Sequence, residues 1–359
     1  MPLPAAAGPG HRYRYLEEAR SRRVLGPEAI RKVDAGGMYA GVSTLPQQLR
    51  EGLALGEKAF RPVTAGRILA LGMGASGTVG DLLASWCGDR LPVVPVRDYR
   101  LPRGAGRGDF ALAISFSGDT EETLAAFHEA LDAGCPAAAV TTGGRLQALC
   151  HEKGVPCAVV PRTVQARAGL GLLLGPVAAL LGQRFVAELR GAAAELEAQG
   201  ASLVPGVDPP VNKAKTLAAA MQGHTVGLLA DAPHMAVARR WAAQLHENAK
   251  VLAWASELPE ADHNEIVAWA EDPGAFLPIL LRGPDETPEL RRRLDLTAEL
   301  LAERRPLISV ELAGPTHLAR LLGGVQLADF ASLYLAVLRG IDPTPQQAID
   351  ELKRRLRRK

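Results

Sequence analysis

The 359-residue chain sets 41 Lys and Arg against 39 Asp and Glu, a formal net charge of +2, with 47% hydrophobic and only 4% aromatic residues. A charge balance so near zero gives no electrostatic footprint for nucleic acid or an anionic membrane, and so few aromatics offer no base-stacking platform. The length suffices for two domains, each burying its own core.

The opening "MPLPAAAGPGHRYRYLEEARSRR" has no apolar stretch ahead of its charges, so no secretory leader is expected. The first fifty-odd residues read as a helical preface, with "AIRKVDAGGMYAGVSTLPQQLREGLALGEK" forming two helices broken at Gly36-Gly37. Apolar runs then predict strands at Arg67–Met73, Pro92–Arg97, Phe110–Phe116, Ala137–Thr141 and Cys157–Val160, with helices at Ser76–Cys87, Thr120–Ala133 and Arg145–Glu152 between them. Near-continuous apolar strands alternating with helices are the pattern of a parallel sheet covered on both faces. A long helical stretch, Ala168 to Ala201, leads into "SLVPGVDPPVNKAK", whose Pro and Gly density marks a domain boundary. The alternation resumes with a strand at Val226–Ala230, a helix from about His234, and strands at Phe276–Leu281 and Leu307–Val310. The second half is thus a divergent echo of the first.

The most apolar run noted, Ala168 to Gly182, spans about fifteen residues, short of the roughly 20 a membrane helix needs. Cys87, Cys135, Cys150 and Cys157 lie in the first half without C-x-x-C spacing and read as core thiols or bystanders in a reducing compartment. A soluble cytoplasmic protein is expected, with no membrane and no nucleic-acid partner.

Two turns carry the chemistry of binding. "ILALGMGASGTVG" (Ile68–Gly80) sets Gly72, Gly74 and Gly77 at dinucleotide-fingerprint spacing between a strand and a helix. A helix N-terminus there favours an anion, and Asp98 ends the next strand close to where a ribose-binding acid would stand. Taken alone, this loop fits a nicotinamide cofactor, a smaller phosphate, or a tight turn with no ligand. "ALAISFSGDTEETLAA" (Ala111–Ala126) repeats the strand-to-helix form, with Ser115, Ser117 and Thr120 around Gly118. One hydroxyl meets the usual capping need. Three of them, with backbone N–H groups, suit a monophosphate dianion, and Ser76 on the first loop would complete the cradle across the sheet edge.

At these residues the chain resembles sugar isomerase (SIS) domain proteins, through "GMGAS…GDLL" paired with "SFSGDTEETL". The resemblance implies phosphosugar binding at Gly74, Ser76, Ser115, Ser117 and Thr120, and leaves Asp98 without a ribose to hold. Further along, "ENAKV…ELPE…HNEI" resembles the bifunctional phosphoglucose/phosphomannose isomerase family, as do "DAGGM…LPQQ" (Asp34–Gln48) and "GIDPTPQQAIDELK" (Gly340–Lys353), so the likeness spans nearly the whole chain. It implies an α/β fold of two SIS-type domains, each a three-layer αβα unit. Their expected limits are a helical preface at 1–55, a first SIS domain at 56–200, a second at 201–345, and a helical tail at 346–359 carrying Lys353.

A carboxylate and an imidazole suit the isomerisation of an aldose phosphate, one moving the C2 proton to C1 and the other opening the ring. Glu247, near the end of a predicted helix, and His263, sixteen positions on in a polar turn, are the candidates. The resemblance implies that Glu247 is the base and that His263 acts in ring opening from the neighbouring subunit of a homodimer. It also implies that Lys353 assists at the ring oxygen and that Arg167, after Gln165, faces the developing enediolate. Three positions depart from the family pattern: Ala75 where glycine is usual, Ala166 where proline is usual, and no aromatic before His263.

The expected function is interconversion of glucose 6-phosphate, and of mannose 6-phosphate, with fructose 6-phosphate through a cis-enediol. It places the protein in glycolysis and gluconeogenesis. No metal is implied, because the histidines are scattered, and no redox cofactor, because the hydrogen moves within the substrate. Three rivals stand beside it. One is a non-catalytic phosphosugar sensor, which would keep the hydroxyl turns and discard the acid–base set. A glucosamine-phosphate-forming amidotransferase would need a cysteine where Pro2 stands. The third is an NAD(P)-dependent oxidoreductase.

Overall fold

The computed structural model describes residues 25–272 and 274–356. The leader reading, the first 24 residues of the expected preface and the last three of the tail fall outside these.

Strands β1 (Arg67–Leu71), β2 (Val93–Val96), β3 (Asp109–Ser115), β4 (Ala137–Thr141) and β5 (Cys157–Val159) form a five-stranded parallel sheet in the order β2-β1-β3-β4-β5. All seven residues of β3 are buried, as expected of a central strand with helices on both faces. A second parallel sheet holds β6 (Thr225–Asp231), β7 (Ala253–Leu258), β8 (Phe276–Arg282) and β9 (Ile308–Glu311) in the order β7-β6-β8-β9. This order repeats that of the first four strands, so the echo seen in the sequence is topological. β7 was not foreseen. It is an edge strand with a mixed burial pattern, and its sequence shows neither alternation nor an apolar run to signal it.

The preface contains helices Pro27–Val33, Met38–Ser43 and Leu45–Ala59, one more break than expected. The long stretch from Ala168 divides into Leu170–Leu181 and Gln183–Leu203, because Gly182 has φ +100° and ends the first helix. The preface is fastened by close backbone approach. A Cβ on Gly56 would stand 2.5 Å from Pro176 Cα, and one on Gly175 would stand 2.6 Å from the Leu49 carbonyl oxygen. Helices Leu45–Ala59 and Leu170–Leu181 therefore meet nearly backbone to backbone.

The helix after β1, Gly74–Cys87, packs on the helix after β6, Met235–Gln244, and joins the two halves. Ser85 Oγ donates to the Pro233 carbonyl at 2.5 Å and lies 2.8 Å from His317 Nε2. With its one proton committed to Pro233, Ser85 accepts from His317, which fixes the Nε2–H tautomer. Helix His317–Leu338 is long and apolar enough to cross a membrane, yet 94% of its apolar window is buried inside the protein. It is the central core helix, longer than the apolar segment singled out in the sequence but less apolar on average.

Two outcomes are expected. Gly56→Ala should lower the urea unfolding free energy by about 1–3 kcal/mol through overpacking, read as a lower midpoint at unchanged slope. Burial, then His234 and Arg320, holds the His317 pKa below its ordinary 6.5. The unfolded chain therefore takes up this proton first, and stability should fall as pH drops below about 6.5; His317→Gln should flatten that limb of the stability–pH curve.

Candidate functional site

In sheets of this order, ligands sit beyond the carboxyl ends of the strands where the order reverses, here between β1 and β3. The two hydroxyl-bearing turns leave the sheet at that point. Ser76 Oγ accepts from the Phe116 N–H at 3.1 Å and ties the first turn to the second. Ser115, 1% exposed, donates to Thr120 Oγ1 at 3.1 Å and accepts from the Gly118 N–H at 3.1 Å. Its hydroxyl therefore organises the turn and is not free for a ligand. Ser117 is exposed and accepts from the Asp119 N–H at 3.2 Å, which leaves its proton available. Thr120 is the N-cap of Glu121–Asp132 without a side-chain capping bond, and no side chain caps Gly74–Cys87. Both helices so present uncapped N–H groups toward the crevice. Gly74, at φ +51° and exposed, forms the lip. Asp98 accepts from the Tyr99 N–H at 2.6 Å within its own turn.

The equivalent crevice of the second sheet is closed. Arg282 pairs with Glu286 at 2.6 Å, and a Cβ on Gly283 would stand 2.2 Å from the His234 ring. The second half contributes from the other edge of its sheet. Helix Met235–Gln244 widens into a π-helical turn, Leu245–Ala249, ended by Lys250 at φ +55°, and this turn carries Glu247 ahead of β7. Such π-turns recur at functional sites.

Arg167 joins the parts. Its guanidinium, 1% exposed, donates from Nε to Asn248 Oδ1 at 2.7 Å, from Nη1 to Glu247 Oε2 at 3.3 Å, and from Nη2 to the carbonyls of Pro343 at 2.6 Å and Thr344 at 3.2 Å. Burial lowers its pKa against the pull of Glu247. Its backbone turn is held from both sides: Arg240 donates to the Arg167 carbonyl at 2.7 Å, and Gln48 of the preface to the Ala168 carbonyl at 2.7 Å. Arg240 in turn pairs with buried Asp329, whose carboxyl burial pushes up. The same turn reaches the hydroxyl-bearing turns, since a Cβ on Gly169 would lie 3.2 Å from the Phe116 ring. One turn thus lies between the hydroxyl-bearing crevice and Glu247.

Three residues at the site were not singled out in the sequence. Gln346 donates to the Glu247 carboxylate. Lys250 Nζ donates to the carbonyls of Glu247 and, at 2.8 Å, of Pro345, and burial lowers its pKa. Asn248 orients Arg167 and donates to Ser332 Oγ at 2.9 Å. A signal existed for the support behind them: Asp329 and Ser332, three apart, are polar residues on one face of an apolar 22-residue helix.

The structure does not bring His263 to Glu247 within the chain. Glu247 precedes β7, whereas His263 follows it in the turn Glu260–His263, exposed. The strand between them spans about 17 Å at roughly 3.3 Å per residue. Lys353 is exposed on helix Gln347–Leu356, which begins beside Gln346. Among the described residues, no three His, Cys, Asp or Glu side chains gather as a metal-holding cluster.

A two-sheet αβα fold with a hydroxyl-rich crevice and a cation-held carboxylate defines a phosphosugar isomerase class. Residues 210–356 match the bacterial phospho-glucose isomerase C-terminal SIS domain. The chain is 32% identical over 297 residues to the bifunctional phosphoglucose/phosphomannose isomerase of Aquifex aeolicus, covering 81% of this chain and 90% of that one. To the protein of that name from Caldicellulosiruptor bescii it is 31% identical over 341 residues, covering 89% and 98%. Among solved structures, a hypothetical protein from Thermus thermophilus shares the fold with TM-score 0.68 at 19% identity, over 97% and 95% of the two chains. The chain belongs to the bifunctional phosphoglucose/phosphomannose isomerase family.

Arg167→Lys leaves a compact ammonium where a planar fork met four acceptors. Stranding one or two buried acceptors should cost about 1–3 kcal/mol each, measured as a lower urea midpoint.

Proposed function

We propose that this chain interconverts glucose 6-phosphate and mannose 6-phosphate with fructose 6-phosphate through a cis-enediol. The observation that carries this reading is the single turn, 165–169, that connects a crevice of uncapped helix ends to a carboxylate held by a buried guanidinium.

The phosphate would rest on the Ser117 and Thr120 hydroxyls, the Ser76 hydroxyl and the N–H groups of the two helices, with Gly74 giving backbone access. Ser115 serves by holding Thr120. Once the ring is open, the Glu247 carboxylate takes the C2 proton. The C2–H electron pair becomes the C1–C2 double bond, and the negative charge moves to O1. O1 takes up the proton that O2 gives up, the O2–H electron pair forms the C2=O bond, and the C1–C2 π pair takes the proton back from Glu247 at C1, which completes the ketose. Arg167 has four of its five N–H groups engaged. It therefore contributes a fixed positive charge behind the carboxylate, worth most where water is excluded. Gln346 orients Glu247. No hydride leaves the substrate, so the scheme uses no redox cofactor.

His263 of a second copy would supply the proton transfers of ring opening, and Lys353 would assist at the ring oxygen. The separation of His263 from Glu247 along β7 supports a homodimer with shared sites. We infer a cytoplasmic role in carbohydrate metabolism, at the hexose phosphate step shared by glycolysis and gluconeogenesis. We place the domain boundary near residue 200, between the two sheets, with Glu247 in the second unit.

A coupled assay with fructose 6-phosphate and each aldose phosphate tests the reading, and absence of turnover overturns it. Glu247→Gln should lower kcat by about 10²–10⁴-fold, the range for a general base; a variant keeping most activity removes this base. Mixing Glu247→Gln with His263→Ala should restore up to about one quarter of wild-type activity, because one site of each heterodimer is whole. No recovery in verified heterodimers would make each site self-contained.

A further inference from the structure

Helix Gln347–Leu356 buries none of its residues against the chain that carries it. At 100° per residue, Ile349, Leu352 and Leu356 fall within an arc of about 60°, and they are 39%, 59% and 48% exposed. Glu351 pairs with Arg354 and Arg355 on the opposite face, so the charges there are internally satisfied. Lys353 stands at the edge of the apolar stripe. The unpartnered stripe leaves the protein directly from Gln346, the residue that donates to Glu247.

A second unpartnered apolar surface lies beside His263. A groove of about 520 Å³ runs between helices Glu265–Glu271 and Pro288–Ala302, with Ile266, Leu296 and Leu300 as its apolar lining and Asp262 and Arg292 among its polar groups. Leu296 and Leu300 are 55% and 42% exposed. Asp262 is engaged by Thr297 and Arg293. The Arg292 side chain forms no ion pair among the described residues, and neither does Asp350 on the flank of the helical stripe.

We propose that the groove beside His263 receives the Gln347–Leu356 helix of a second copy of this chain. The inference rests on the reading that His263 completes the partner's site. If His263 of one copy stands over Glu247 of the other, the helix that starts beside Glu247 must pass along the surface flanking that His263, which is this groove. A two-fold axis makes the exchange reciprocal, so each copy gives a helix and receives one. The charges fit the same arrangement, with Asp350 meeting Arg292 at the rim. Lys353, on the edge of the stripe, stays at the seam where both copies border the substrate.

The test is a cysteine pair and a pair of charge insertions in the full chain. Leu352→Cys combined with Leu296→Cys should give a covalent dimer on mild oxidation, at least ten times more than either single variant or wild type. Leu296→Asp and Leu352→Asp, both at exposed positions, should be monomeric by light scattering at concentrations where wild type is dimeric, with unchanged circular dichroism. Absence of the cross-link in a dimeric protein, or dimers persisting in both aspartate variants, overturns the proposal. So does a monomeric wild type whose helix binds anionic vesicles. If a charge variant aggregates, the cysteine pair decides. The subunit-mixing assay separates the two readings. Recovered activity without the cross-link places the interface elsewhere and keeps His263 in the partner's site. A cross-link without recovery keeps the helix in the groove and returns each site to one chain.

Discussion

A guanidinium without water must find acceptors for its N–H groups, and the acceptors that Arg167 finds set the arrangement of the rest. Desolvating such a cation costs several kcal/mol, recovered only when geometry and hydrogen bonds are nearly complete. Here the acceptors come from two places in the chain: the π-turn at Glu247 and Asn248, and the carbonyls of Pro343 and Thr344. The C-terminal segment is drawn in because its carbonyls are needed. Lys250 repeats the device on Glu247 and Pro345. Gln346 is thereby delivered to the carboxylate as a consequence of satisfying the buried Arg167 and the neighbouring Lys250.

The preface acquires a purpose in the same terms. Its helix Leu45–Ala59 lies against Leu170–Leu181 at glycine contacts close enough for Gln48 to reach both the Ala168 carbonyl and the Gly171 N–H. On the far side, Arg240, Gln244 and Asp329 form a buried set that ends on the Arg167 carbonyl. A turn held at consecutive carbonyls by two separate elements has little freedom, and it is the turn that separates the hydroxyl-bearing crevice from Glu247. The two sheets share an order of strands but not a use. The first keeps its crevice open with uncapped helices, whereas the second fills its own with Arg282–Glu286 and with His234 pressed on Gly283.

Much of this was legible in the sequence. Strands buried on both faces write themselves as unbroken apolar runs, and Ser117 and Thr120 stand in a turn with more hydroxyls than capping needs. The misses have physical causes. β7 is an edge strand, half exposed, and "AWASEL" has neither a clean alternation nor a continuous apolar run. Without β7, the polar stretch from Glu247 to His263 looks like one neighbourhood, and only the strand between them reveals two ends. Ser115 looks like a ligand until its donor and acceptor are both seen engaged within the turn. Gln346 and the carbonyls at 343 and 344 carry no side-chain signature at all, because backbone acceptors are invisible in a sequence.

The separation along β7 also bears on how two copies would hold together. Burying the exposed remainder of Ile349, Leu352 and Leu356 is worth about 1 kcal/mol for each side chain, taking roughly half of the full-burial value. Six such side chains across a two-fold pair contribute about 6 kcal/mol, near the lower end of the roughly 4–15 kcal/mol that association costs in lost freedom. The helices alone therefore do not make a stable dimer. Ile266, Leu296 and Leu300 of each groove lose water in the same event, and bound substrate would add contacts that exist only when both copies are present. A site divided between chains makes substrate binding and subunit association draw on the same free energy, so each strengthens the other. In such a dimer the exposed apolar face of helix Gln347–Leu356 would be the surface through which that coupling acts.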